Sequence, residues 1–186
     1  MLPKRKRFGA KEIFSIPNLM GYFRILLIPV FCFLFCTADT DRDYLLAAGV
    51  VLLSTVTDFL DGWVARTFHM VTELGKFVDP LADKLTHAAL AVCLTFRFPL
   101  MLLIVGIMVI KEGFMAVMGL VKLKSGKKLD GAMWFGKVCT AALFLVMFFL
   151  LLFPSIPLPA ANGMIIACAV IQIFTLVMYI PVFKKM

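Results

Sequence analysis

Of the 186 residues, 62% are hydrophobic, and 19 basic side chains stand against 11 acidic ones, for a formal net charge of +8. A soluble domain averages about 45–50% apolar residues, so this composition excludes an ordinary soluble globule and leaves too little polar sequence for a second, soluble domain. The basic balance reads as membrane topology and lipid contact, not nucleic-acid binding.

In chain order, the opening 1–14 carries Lys4, Arg5, Lys6, Arg7 and Lys11 among Phe8, Ile13 and Phe14. It reads as a short interfacial helix on anionic headgroups or as a basic tail, and nothing in it resembles a cleaved leader. The remainder, 15–186, reads as one all-α integral membrane domain of six transmembrane helices, because apolar runs of about 20 residues are long enough to cross a bilayer. Ser15-Ile16-Pro17-Asn18 gives a start signal for a first span over about Asn18 to Cys36. An acidic linker, Thr37 to Asp43, leads to a second helix over about Tyr44 to Phe68, and a third runs over about Phe77 to Phe96. Pro99 turns the chain into a fourth, to about Val121, and the basic stretch Lys122 to Asp130 reads as a loop. The fifth covers about Ala132 to Phe153; Pro154, Pro157 and Pro159 break it before a sixth, about Ala160 to Phe183.

Positive charge orients these spans. With the N-terminus in the cytosol, that side collects Lys4 to Lys11, Arg66, Lys76, Lys122, Lys124, Lys127, Lys128, Lys184 and Lys185, and the other side holds Arg42 and Arg97. Both termini are then cytosolic. The five cysteines lie in apolar runs without metal-ligand spacing and read as small hydrophobes.

Four aspartates break the apolar pattern: Asp58 and Asp61 in the second helix, Asp79 and Asp83 in the third. Each costs about 2.5–3.5 kcal/mol at the centre of a membrane helix on the lenient insertion scale, so they need compensation. Spacings of three and four put each pair on one helix face. Both pairs lie toward the cytosolic ends of neighbouring antiparallel helices, so all four converge on one pocket. All-oxygen ligation selects a hard ion, Mg²⁺ or Mn²⁺, and four negative charges balance two such ions, as in two-metal phosphoryl displacement. The other reading is ion pairing with Arg66, Lys76 and Lys84 without metal. Gly62 and Ala65 keep the carboxylate face open to a ligand, and Arg66 adds a fork-shaped donor suited to phosphate. Gly75 does the same ahead of the second pair, or ends the loop. His69 and His87 are isolated and read as structural.

Asp58-x2-Asp61-Gly62-x2-Ala65-Arg66-x8-Gly75-x3-Asp79-x3-Asp83 resembles, at every fixed position and gap, the signature of the CDP-alcohol phosphotransferase family. The resemblance extends to the six-span topology and so to nearly the whole chain. It implies that Asp58, Asp61, Asp79 and Asp83 hold the metals and that Asp83 is the general base. It also implies that Asp58, Asp61, Gly62, Ala65, Arg66 and Gly75 bind the CDP-lipid, CDP-diacylglycerol. A bacterial inner-membrane homodimer with a cytosol-facing active site is likewise what the resemblance implies.

Ser15-Ile16-Pro17-Asn18-Leu19 with Arg24 and Pro29, Asp79-Pro80-Leu81-Ala82-Asp83-Lys84, and Gly136-Lys137-Val138 resemble the bacterial branch of that family whose acceptor is glycerol 3-phosphate. Where that branch commonly has Arg-Glu, this chain has Lys111-Glu112, which keeps the charge and loses the fork. An anionic acceptor needs cations, and Lys111, Lys137, Arg24 and Lys84 are the candidates, each with a plainer alternative in an ion pair, a helix terminus or a lipid headgroup. Other acceptors, giving cardiolipin, phosphatidylserine or an inositol-phosphate lipid, use the same chemistry. A cation transporter is the reading from another class, disfavoured because the carboxylates have no counterpart toward the opposite side.

Overall fold

The structure is a computed structural model and describes residues 14–72, 74–124 and 133–185. Among these the chain is helical without strands: α1 Ile16–Cys36, α2 Asp41–Thr67, α3 Gly75–Thr95, α4 Met101–Lys124, α5 Trp134–Leu152 and α6 Leu158–Lys185. The expected interfacial segment and most of the basic loop after α4 lie outside the described residues.

Among the described residues, five helices are long and apolar enough to cross a membrane. The remaining expected span, α3, has the length, 21 residues, but is less apolar than those five. Lys76, Asp79, Asp83, Lys84 and His87 all fall within it.

Boundaries moved where local chemistry extended a helix. α2 begins at Asp41, inside the expected linker, because the Asp43 carboxylate accepts from the Thr40 backbone N–H and hydroxyl, both at 2.8 Å. That bonding satisfies donors at a helix start. α1 begins at Ile16 with Pro17 in its first turn, where a missing N–H costs nothing. α2 ends in a left-handed turn: His69 has φ 54°, and the Met70 N–H reaches the Ala65 carbonyl at 2.9 Å. This Schellman-type stop usually takes glycine, with histidine among the residues that tolerate it.

The chain divides into two compact units, Met1–Ala89 and Leu90–Met186. In the first, α1 and α2 form a hairpin. Small residues let the helices approach: Ala47, Ala48, Val51 and Ser54 of α2 are buried, as are Gly21, Phe31 and Phe35 of α1. Tyr44 meets Phe35 edge-on, ring centres 5.3 Å apart. Thr55, Thr57 and Thr86 each return their hydroxyl to a carbonyl of the preceding turn at 2.8 Å, which hides polar groups inside apolar helices.

In the second unit α6 packs on α4 and α5. Phe135, Tyr179 and Phe183 form its aromatic core, and a side chain at Gly136 would collide with the Tyr179 hydroxyl, so Gly136 is there for close packing. Arg97 donates from Nε to the Pro154 carbonyl at 2.8 Å. Such an anchor ties two connecting segments together.

Candidate active site

The first unit gathers the charged residues. Counting along the helices at 1.5 Å per residue, Arg24 lies about 12 Å below the start of α1, and the four aspartates lie roughly 6–14 Å from the end of α2 or the start of α3. Each of these helix ends belongs to the same side of the α1–α2 hairpin or to the short link that follows it, so the charges share one depth.

Arg24 stands at the centre. Its guanidinium donates from Nη1 to Asp58 and from Nη2 to Asp83, and Nη1 lies 3.7 Å from Asp61 Oδ2. The Arg24 side chain is 3% exposed and that of Asp61 also 3%, whereas Asp58 and Asp83 are 40% and 48% exposed. The cluster thus has a closed floor, Arg24 and Asp61, and an open rim, Asp58 and Asp83. Asp79 comes next to α1, its Oδ1 3.5 Å from the point a side chain at Gly21 would occupy.

Bonding in the cluster is incomplete. Arg24 Nε, Asp61 Oδ2 and Asp79 Oδ1 are buried without a hydrogen-bond partner, and a buried carboxylate oxygen without a donor is costly. Arg24 brings one positive charge to four carboxylates. The donor set is therefore right for a hard divalent ion: oxygen only, excess negative charge, and two orphaned buried oxygens that a cation would satisfy. The side chains are not drawn into a ligand shell, however. Among the described residues no three acidic, histidine or cysteine groups come together closely enough to hold an ion, because the guanidinium stands between Asp58 and Asp83.

The remaining candidates fall into place by helix. Arg66 is exposed and turns back on its own helix, its Nε donating to the Gly62 carbonyl at 2.8 Å. Gly62 is open on its ligand side apart from Arg66 Nη2, 3.4 Å from where its side chain would lie, and Ala65 is half-buried. Gly75 opens α3 under tight contact: a side chain there would come 2.7 Å from Asn18 Oδ1 and 3.0 Å from Thr72 Oγ1. The Thr72 hydroxyl accepts from the Gly75 N–H at 2.9 Å and donates to Asn18 Oδ1 at 3.0 Å.

Asn18 and Thr72 thus pin the start of α3 to α1 and set the height of Asp79 and Asp83. The sequence reading did not single out either residue for this task. A threonine three residues ahead of a helical glycine was the available signal. Lys84 is exposed beside Asp83. Lys111 and Lys137 belong to the second unit, where Lys111 is buried and its Nζ lies 3.7 Å from Glu112 Oε1; Lys137 is exposed.

Comparison with known proteins identifies the family. The family model described as CDP-alcohol phosphatidyltransferase matches residues 14–180. The CDP-diacylglycerol–glycerol-3-phosphate 3-phosphatidyltransferase of Escherichia coli strain K12 is 30% identical over 171 residues, covering 90% of this chain and 93% of that protein. The proteins of the same description from Shigella sonnei and Shigella flexneri serotype 5b match with the same identity and coverage. With its signature aspartates gathered at one depth and the match spanning nearly its full length, the chain belongs to the CDP-alcohol phosphatidyltransferase family and is a membrane-bound transferase of phospholipid biosynthesis.

Proposed function

We infer that the chain transfers the phosphatidyl group of CDP-diacylglycerol to sn-glycerol 3-phosphate, releasing CMP and forming phosphatidylglycerophosphate. The observation that carries the reading is the cluster of Asp58, Asp61, Asp79 and Asp83 about Arg24, in a chain whose relatives are named for this reaction. The site faces the cytosol, with six membrane-embedded helices and both termini on that side. Charge supports this orientation, since Arg66 and Lys76 flank the helix ends that carry the cluster.

The attacking oxygen is the acceptor hydroxyl, a weak nucleophile that needs a base within hydrogen-bond reach. Asp83 takes that proton: it lies on the open rim, where a substrate hydroxyl has access. The new bond joins that oxygen to the phosphorus bearing diacylglycerol, the pyrophosphate P–O bond breaks, and CMP leaves with the electron pair. Asp58, Asp61, Asp79 and Asp83 are the residues that would hold Mg²⁺ or Mn²⁺, which would compensate the negative charge that builds on CMP as the pyrophosphate bond breaks. Arg66, freed from the Gly62 carbonyl, offers its fork to a donor phosphate. Gly62 and Ala65 leave room for the donor headgroup beside α2, and Gly75 lets the start of α3 come close to α1. Lys84 supplies positive charge for the acceptor phosphate next to the base.

The acceptor is tested by giving purified protein CDP-diacylglycerol, Mn²⁺ and, separately, glycerol 3-phosphate, phosphatidylglycerol, serine and inositol phosphate. CMP release with glycerol 3-phosphate alone is the expected result. Release with another alcohol in its place would keep the phosphatidyl transfer and replace the acceptor.

A further inference from the structure

Among the described residues of the first unit, Arg24 is the one buried cation, yet it is poorly satisfied. It holds Asp58 and Asp83 and approaches Asp61, while its own Nε has no partner. A buried arginine among carboxylates does two physical things: it cancels repulsion that would otherwise force the acids apart, and it occupies the space between them. The second property sets it against any other cation. Asp58 and Asp83 cannot both give the same oxygen lone pairs to the guanidinium and to a metal ion.

We propose that Arg24 is an internal counter-ion of the carboxylate cluster, holding Asp58 and Asp83 together while the protein is ion-free and withdrawing from them when a divalent ion binds. This rests on the reading of the aspartates as metal ligands and adds a residue that acts through them. Arg24 is therefore a positioning residue. The proposal accounts for both features that a preformed centre leaves unexplained: the carboxylates are close but not in a ligand shell, and the floor of the site keeps unsatisfied buried atoms on both the cationic and the anionic partner. An arrangement this incompletely bonded gives up little when one partner is exchanged for an ion that satisfies Asp61 Oδ2 and Asp79 Oδ1 as well. The released guanidinium regains free donors at the moment the site acquires its ion, so ion binding precedes anion binding at Arg24.

The test compares wild type, Arg24→Gln and Arg24→Lys in detergent, reading the thermal midpoint in EDTA and the binding of Mn²⁺ alone by electron paramagnetic resonance. In EDTA the midpoint of R24Q falls by about 5 °C or more, because like charges lose their counter-ion. R24K, which keeps the charge, recovers part of that loss. Mn²⁺ binds R24Q about tenfold more tightly than wild type, since no cation has to be displaced, and restores its midpoint. If Mn²⁺ binds wild type and R24Q equally, or binds R24Q more weakly, the exchange is wrong even though the aspartates remain metal ligands. If wild type binds no Mn²⁺ at all, the underlying reading of the aspartates fails with it.

Discussion

Replacing Asp83 by Asn reduces CMP release by at least about 100-fold, the size expected for loss of a positioned base, while binding of CDP-diacylglycerol persists. The separation follows from the geometry. An Asn at position 83 is the same size and still offers an oxygen to Arg24 Nη2, so the ion pair becomes an ordinary hydrogen bond and the floor of the cluster stays in place. What disappears is a carboxylate on the exposed rim able to accept a proton. The measurement is single-turnover CMP release alongside a separate binding assay with labelled lipid. Normal turnover by D83N would remove Asp83 as the base, and parallel loss of lipid binding would make its role structural.

Replacing Asp61 by Asn has the opposite signature. Asp61 is buried, and its Oδ2 has no hydrogen-bond donor, only Arg24 Nη1 at 3.7 Å. Neutralising it removes a poorly compensated charge, so ion-free D61N is as stable as wild type or more so. Affinity for Mn²⁺ drops by about 100-fold or more, since charge count and ligand number set affinity at oxygen-only sites, and CDP-lipid binding weakens with it. Thermal melts in EDTA and in Mn²⁺ read both effects: wild type is stabilised by the ion, and D61N is not. A D61N protein that melts earlier in EDTA and keeps its Mn²⁺ response would show Asp61 to be a structural partner of Arg24 alone.

How much of this was legible beforehand follows from the reach of each interaction. Runs of apolar residues and prolines gave six helices with ends within a few residues, since length and hydrophobicity are local properties. The start of α2 is harder to read, because Asp43 looks like linker charge in sequence and serves as a cap for Thr40 in the structure. α3 has the helical length of a span, but its charged face leaves it less apolar than the other five. Both aspartate pairs were readable, since spacings of three and four fix a face. Arg24 is legible in the sequence as a candidate cation for an anionic acceptor, but a sequence does not say which of several anions it meets. Expected at an acceptor phosphate, it meets Asp58 and Asp83, which lie 34 and 59 residues away. The Asn18–Thr72 bond, spanning 54 residues, was out of reach for the same reason. For Lys111 the neighbour in sequence, Glu112, is also its neighbour in the structure, with Nζ 3.7 Å from Oε1.

The proposed function requires carboxylates from α2 and α3 to work as one unit with a divalent ion in moving a phosphatidyl group. Its most direct test is the mass balance of a reaction with CDP-diacylglycerol and glycerol 3-phosphate, run in Mn²⁺, in EDTA, and in EDTA followed by excess Mn²⁺. The expected result is CMP and phosphatidylglycerophosphate in equal amounts, lost in EDTA and restored by the ion. CMP formation that persists in EDTA, or that continues without the alcohol and yields phosphatidate in place of the transfer product, would contradict it.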